Sequence, residues 1–372
     1  MNLNPFIGRN NIVCELADLA GRADQVNALW KQIREHRDVL LMGPEGIGKS
    51  SLLQCALSLD FRRQAAEEHH LLITSPFEYP TRLEGDRLFA FLVDELITAV
   101  RRVLDGAKGA ELAEKIRLEV ASHLEPSRML KGVVDMLHDT AGYCSVLVID
   151  NFERFTSSEE VTMAQHEIMR SLMEQGHLRF VVATNFDLSK DSLPPHVQGS
   201  FYLQKFFGCE MPLEGLSRNE TKRYLTSLAS PSFAALYRKL HELSGGIPRL
   251  MTICASKAYD LMMACNSTEL TDEAWAQVQQ YALEQFATYF KHWCSMLTDA
   301  RRSVLMELVN GARSFADNGT AEALSKDRGL LRRDVTGRYS LISPLFAAYL
   351  QAHPLTGTGY DMSDFFGLHS SR

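Results

Sequence analysis

Apolar positions recur along this chain with two different periods, and the changes of period mark its elements. Val26, Leu29, Trp30 and Ile33 recur at helical spacing, and Val39 to Met42 then forms an unbroken apolar run between polar neighbours. The first pattern predicts an amphipathic helix and the second a strand buried on both faces. Similar short runs return at Leu71–Thr74, Ser145–Asp150, Arg179–Asn185 and Phe207–Leu213, the last closing on Pro212 and Gly215. Between the second and third runs, Leu88, Phe91, Leu92, Leu96 and Val100 line a long helix, with further helical stretches at 109–122 and 127–139. Met163, Ile168 and Leu172 mark a helix before the fourth run. Strands alternating with helices predict a parallel α/β sheet.

After residue 214 the pattern becomes helical, with segments at Asn219–Leu228, Ser232–Leu243, Leu250–Cys265 and from Asp272 into the 290s. Further on, helices Arg301–Asn310 and Ala321–Leu331 precede two β-prone runs around Gly337, and Ser343–Leu350 closes with a helix. Two helices and a wing predict a winged helix. Residues 1–20 read as a lead-in with turn signals at Asn4-Pro5 and Gly8-Arg9, and 353–372 as a Gly/Ser/Thr-rich flexible tail carrying Phe365-Phe366. The organisation expected is therefore an α/β core over 1–213, a helical lid over 214–294, a winged helix over 295–352 and the tail.

Composition narrows the classes. The 372 residues, 45% hydrophobic and 23% charged, are globular in character and long enough for two or three domains. Net charge is −7, so no global basic field recruits nucleic acid and such contact needs a local patch. The seven cysteines are scattered with no C-x-x-C pair, which argues against a zinc site or disulfide frame and for a reducing compartment. No basic-then-apolar leader opens the sequence and charge breaks every long apolar stretch, so a cytoplasmic protein without membrane contact is expected.

The first apolar strand opens into Gly43-Pro44-Glu45-Gly46-Ile47-Gly48-Lys49-Ser50, a full match to G-x-x-x-x-G-K-[ST], with Ser51 next on the turn. Leu52, Leu53, Ala56 and Leu57 continue as a helix, so strand, loop and helix stand in the order a phosphate-binding loop requires. Gly43, Gly46 and Gly48 let successive amides turn toward one anion, and the helix adds its positive dipole end. Lys49 is expected to reach the β- and γ-phosphates of ATP, and the Ser50 hydroxyl to hold Mg2+.

Ser145-Val-Leu-Val-Ile-Asp150 is a Walker B pattern, a buried strand aiming a carboxylate at the magnesium shell. Asp150 is the metal-shell acid; a capping Asx turn is the competing reading. Asn151 stands where many ATPases carry a water-polarising glutamate, and an amide is a poor base, so slow turnover is expected. Glu153 is the alternative base, or pairs with Arg154 or another cation. Asn185, ending the fourth strand, is placed to orient water and sense the γ-phosphate, against a plain turn-starting role. In Leu243-Ser-Gly-Gly-Ile-Pro248-Arg249-Leu250, the LSGG tetrapeptide lies 93 residues beyond Asp150, on the wrong side of Walker B for a transporter signature. Gly245 and Gly246 instead cap one helix and Pro248 starts the next, putting Arg249 on a first turn facing either nucleotide or solvent. From Arg313 to Arg338 six basic residues face four acidic ones. DNA contact through Lys326, Arg328, Arg332 and Arg333 competes there with a protein–protein or autoinhibitory role.

Together these motifs resemble the AAA+/STAND branch of P-loop ATPases, particularly origin-recognition ATPases and their prokaryotic relatives. The resemblance rests on Gly21-Arg22, GPEGIGKSSLL, LVIDNFE, the strand ending ATN, GGIPRL and the terminal SPLFAAYL, and covers roughly residues 19–350. It implies ATP and Mg2+ held between core and lid, with Asn185 as sensor 1 and Arg249 as sensor 2. It also implies assembly into a homo-oligomer and work with a protein partner or effector, or on double-stranded DNA, in replication, transposition or antiphage defence. Two departures stand out. Asp150-Asn151 replaces Asp-Glu, and no arginine occurs between Asn185 and Glu214, where an arginine finger is expected. Lys190 and Lys205 lie in that interval, and Arg154 and Arg170 are the alternatives.

Overall fold

The computed structural model describes residues 4–6, 19, 21–80, 87–122, 125–158, 161–185, 188, 195–206, 208–295, 297–312, 315, 318–326 and 329–355. Gly8-Arg9, Lys190, Phe207, Arg328 and residues 356–372 of the tail, with Phe365-Phe366, lie outside them. One parallel sheet contains β1 (Val39–Met42), β2 (Leu71–Ile73), β3 (Phe77–Glu78), β4 (Cys144–Asp150), β5 (Leu178–Thr184) and β6 (Glu210–Pro212). Its order is β2-β4-β5-β1-β6, with β3 also pairing with β4. The register places Met42 beside Thr184 and Ile149 beside Val182, so the C-terminal ends of β1, β5 and β4 finish along one edge.

The apolar runs arise because both faces of the sheet are covered. Val39 and Leu41 enter one core while Leu40 and Met42 enter the other, and Val146 and Val148 likewise oppose Leu147 and Ile149. Helices Arg87–Val103, Gly106–Ser122 and Pro126–Ala141 cover the second face. On the first face, helices Ala23–Arg34 and Lys49–Ala56 continue without a break into the C-terminal helices.

Those helices are Arg218–Leu228, Pro231–Ala234, Tyr237–Ser244, Pro248–Cys265, Asp272–Ser295, Asp299–Val309, Asn318–Lys326 and Pro344–Ala352. A hairpin, β7 (Leu331–Arg333) with β8 (Tyr339–Leu341), precedes the last of them. Three expectations change. The helix expected over Ser232–Leu243 is two helices, broken at Ala235-Leu236. The helix expected to reach Leu331 stops at Lys326: Gly329 turns with φ +60, and Leu331 pairs with Leu341. In helix Met163–Gln175, Met163 is exposed and the buried side carries Gln165, His166, Met169, Leu172 and Met173.

The hairpin is seated on the end of helix Tyr237–Ser244, in the segment expected as a lid, through close backbone approaches. Gly245 ends its helix with φ +64, and a Cβ there would overlap the Ile342 carbonyl. Ser343 Oγ donates to the Leu243 carbonyl at 2.7 Å, and Arg332 Nη2 donates to the Gly245 carbonyl. Arg332, one of the cations considered for DNA, is therefore half-buried against the lid. Lys326 is exposed and paired with Glu322, and Arg333 lies over the Tyr339 ring. The last helices join the core through aromatics: Phe290 packs 4.9 Å from Phe286, 5.1 Å from Trp293 and 5.3 Å from Phe346, centroid to centroid. Among the described residues no helix is long and apolar enough to cross a membrane.

Candidate functional site

The edge where β1, β5 and β4 end gathers residues that are far apart in sequence. Gly48 leaves the strand–loop turn with φ +100 and caps helix Lys49–Ala56, so the loop amides and the helix start face the same side as the ends of β4 and β5. Lys49 is buried within the loop, its Nζ donating to the carbonyls of Gly43 at 2.8 Å and Pro44 at 3.4 Å and to Asn185 Oδ1 at 2.6 Å. Asn185 passes the contact on: its Nδ2 donates to Glu153 Oε1, and its backbone N–H to Glu153 Oε2 at 3.4 Å. Lys49, Asn185 and Glu153 thus form one hydrogen-bonded chain.

Burial controls the charges in this chain. Desolvation pushes the Lys49 ammonium below its usual range against the pull of Glu153, Asp150 and Glu45. Desolvation likewise pushes the Glu153 carboxyl up, and the Lys49 charge opposes that rise. A buried carboxyl with a raised pKa, held by an amide and facing a lysine, has the environment of a general base. Asp150 is also buried at the end of β4 and accepts the Asn151 N–H at 2.9 Å.

Asn151 is directed elsewhere. It adopts φ +51, and its Nδ2 donates to Glu78 Oε1 at 2.8 Å, while Glu78 Oε2 receives Arg154 Nη1 at 2.6 Å. The alternative pairing of Glu153 with Arg154 is therefore not formed, because Glu78 on β3 takes Arg154. Arg170 lies between Glu167 and Glu174, and Lys205 is bonded to Glu174. Both arginines considered as fingers are thus held in ion pairs on their own chain. Ser50 lies half-buried on the first turn of helix Lys49–Ala56, followed by Ser51.

The middle of the loop is clasped by C-terminal elements. Arg249, on the first turn of helix Pro248–Cys265, donates its backbone N–H to the Gly46 carbonyl at 3.3 Å, and its guanidinium lies 4.7 Å from the Tyr289 ring centroid. A Cβ at Gly46, with φ +88, would stand 3.2 Å from Phe286 and 3.4 Å from the Arg249 Cβ. Glu45 Oε2 meets His292 Nδ1 at 2.6 Å, and Trp293 Nε1 donates to the Glu45 carbonyl at 3.3 Å. Burial opposes the Glu45 charge, but the His292 bond and the Lys49 and Arg249 charges outweigh it and hold its pKa below the usual range. From the N-terminal side, buried Arg22 donates to the Ile47 carbonyl at 3.0 Å; desolvation lowers its pKa to about 10 despite Glu220 and Glu214. Sequence reasoning missed Glu78, His292 and Trp293. The helical period of 272–295 marks His292 only as a polar position, and a separation of 247 residues from Glu45 leaves no local signal.

The model of the family described as novel STAND NTPase 1 matches residues 17–230. No curated protein matches the chain. Among solved structures, a Walker-type ATPase of Pyrococcus abyssi superposes with a TM-score of 0.55 at 13% identity, over 92% of this chain and 98% of that one. The Aeropyrum pernix ORC2 protein, solved as ADPNP–ADP complexes, gives a TM-score of 0.48 at 13% identity, over 94% of this chain and 98% of that one.

Proposed function

We infer the function from one premise: the chain belongs to the novel STAND NTPase 1 family. It is a P-loop NTPase of the STAND type, built on the parallel α/β sheet. We read it as an ATP-operated switch that changes conformation or assembly with bound nucleotide and regulates a partner protein. The observation that carries this reading is the buried Lys49–Asn185–Glu153 chain at the sheet edge, beneath a loop clasped by the lid.

In this reading the backbone N–H groups of Glu45 to Gly48 and the start of helix Lys49–Ala56 cradle the phosphates, Pro44 having no N–H to give, and Lys49 Nζ exchanges its carbonyl and amide partners for phosphate oxygens. Ser50 and Asp150 offer a hydroxyl and a buried carboxylate, hard oxygen donors that fit Mg2+. Mg2+ held there would supply positive charge against the phosphate charge. Glu153, oriented by Asn185, takes a proton from the attacking water; Asn151, an amide bonded to Glu78, does not. Arg249 and the Glu45–His292 contact link the loop to the lid, so a change at the phosphates alters the lid and the hairpin seated on it. Protein partnership is preferred over DNA because Arg332 is used against the lid, and a homo-oligomer is the assembled form proposed.

Lys49→Ala should abolish binding of a fluorescent ATP analogue and any ATP-dependent change in size, whereas Glu153→Gln should keep binding and lose single-turnover phosphate release. Retained ATP affinity in Lys49→Ala would overturn the assignment. Sizing the purified chain with and without ATP, each with and without duplex DNA, separates the switch from a DNA-bound adaptor that holds ATP structurally. DNA affinity that falls steeply with salt would favour the adaptor.

A further inference from the structure

The Asn4-Pro5 turn is seated in a slot between two helices that are far away in sequence. Asn4 Oδ1 accepts the Phe6 N–H at 2.9 Å, a turn that Pro5 favours by fixing its own φ. Asn4 Nδ2 donates to the Ser256 carbonyl at 3.0 Å, to Ser256 Oγ at 3.1 Å and to Asp260 Oδ1 at 2.8 Å, all on helix Pro248–Cys265. The Phe6 ring is fully buried, its centroid 5.2 Å from Phe233 on helix Pro231–Ala234 and 6.2 Å from Tyr259 on helix Pro248–Cys265. We propose that these two helices form a peptide-binding slot for an Asn-Pro-Phe segment, filled here by the chain's own Asn4-Pro5-Phe6.

Each residue of the segment has its own chemical reason. An asparagine amide supplies donor hydrogens on one side and an acceptor on the other, and the contacts use both sides at once. An aspartate would keep the acceptor, lose the donors and set a second carboxylate against Asp260. Pro5 has no N–H to leave unpaired and restricts the free segment, so less freedom is lost on docking. Phe6 completes an aromatic cluster whose walls already touch, Phe233 and Tyr259 meeting edge to face with centroids 5.5 Å apart. The short helix that carries Phe233 is itself fixed by its cap, Ser230 Oγ accepting the Phe233 N–H at 3.4 Å. The slot thus has an apolar floor and a polar rim with a definite hydrogen-bond pattern, the combination that reads a peptide sequence.

A segment joined to its own slot meets it at an effective concentration of about 1 mM, so a Kd of roughly 0.1 mM for the free peptide leaves the slot about nine-tenths filled and open to exchange. Docking also has a mechanical consequence, which rests on the switch reading above. At the other end of the same N-terminal segment, Arg22 donates to the Ile47 carbonyl of the phosphate loop, and Gly21 lies so close to Glu220 that a Cβ would overlap that side chain. Asn4-Pro5-Phe6 on helix Pro248–Cys265 and Arg22 on the loop therefore strap that helix to the loop, in addition to the direct bond from Arg249 to Gly46.

The probe is a fluorescein-labelled peptide of residues 1–9, titrated by anisotropy into the full chain without nucleotide. It should bind an Asn4→Ala/Phe6→Ala chain, whose own segment no longer fills the slot, and bind the parent about tenfold more weakly because the tethered copy competes. A peptide carrying Phe6→Ala or Asn4→Asp should lose about tenfold or more in affinity, and Asp260→Ala added to the double variant should weaken the unaltered peptide severalfold. Equal binding to parent and double variant overturns the proposal, as does no binding of millimolar peptide to a double variant that melts like the parent. If the double variant does not fold, Asn4→Asp alone decides: faster amide exchange over residues 256–260 supports the slot, and parent-like exchange overturns it. A fluorescent ATP analogue should leave the double variant severalfold faster than the parent, and an unchanged rate overturns the strap. Peptide binding by a chain that takes up no ATP would count against the switch reading and leave the slot standing.

Discussion

His166, outside the nucleotide site, couples stability to acidic pH. It is fully buried, its Nδ1 lies 2.7 Å from Ser200 Oγ, and burial, with the His196 charge adding, lowers its pKa from 6.5 to about 4. The sign follows from linkage: below pH 6.5 the unfolded chain takes a proton that the folded chain refuses until about pH 4. Stability present above pH 6.5 is therefore lost as pH falls through this window, by up to about 3 kcal/mol. Urea midpoints measured across the window should show that slope in the parent and a flatter one in His166→Gln, which keeps a partner for Ser200. The same physics explains why His166 was invisible to pattern reading. A histidine in an amphipathic segment reads as solvent-facing, and Met163 as core, whereas the structure reverses them because His166 finds Ser200 and the rings of Phe155 and Tyr202.

Among the elements, the lid–hairpin junction is where backbone conformation decides most. Gly245 needs a left-handed φ, worth about 1–2 kcal/mol against any residue with a Cβ, and also needs the space that the Ile342 carbonyl occupies. Gly245→Ala should therefore free the hairpin from the lid, lower the melting temperature and expose the β7–β8 turn to limited proteolysis; a parent-like melt and digest would contradict this. The strands β1, β4 and β5 were legible to within a residue, because burial on both faces leaves an apolar run with no other explanation. The glycine pair before Pro248 was legible for a similar reason, as both residues have a stereochemical task. The break between Ala234 and Tyr237 and the short edge strand β6 were not, since tertiary contacts set them and their own sequence does not. In the site, Lys49, Asp150 and Asn185 follow from strand ends, and Glu153 was named as one option. That Asn151 turns to Glu78 while Glu153 meets Asn185 had no local signal, since Glu78 is a residue on a two-residue strand with no pattern of its own.

For the molecule as a whole, the three regions expected from sequence share apolar packing. One core runs from β1 through helix Pro248–Cys265 to Phe346 and Leu350. Phe290, fully buried among four aromatic rings, stands at its crossing point. Phe290→Ala should cost about 3–5 kcal/mol, read from urea unfolding. Because the core is continuous, near-ultraviolet and far-ultraviolet signals should shift together; separate transitions would show that the lid and hairpin melt alone. The clasp on the phosphate loop has a further consequence for how the molecule is made. Pro44, Glu45 and Gly46 leave the ribosome well before their neighbours at Arg249, His292, Trp293 and Gly329 are translated. With elongation at roughly 5–20 residues per second, the loop waits on the order of ten seconds or more before its rim exists. A nascent chain that has not yet reached Arg249 therefore carries the complete phosphate-loop motif without the rim that joins it to the later helices.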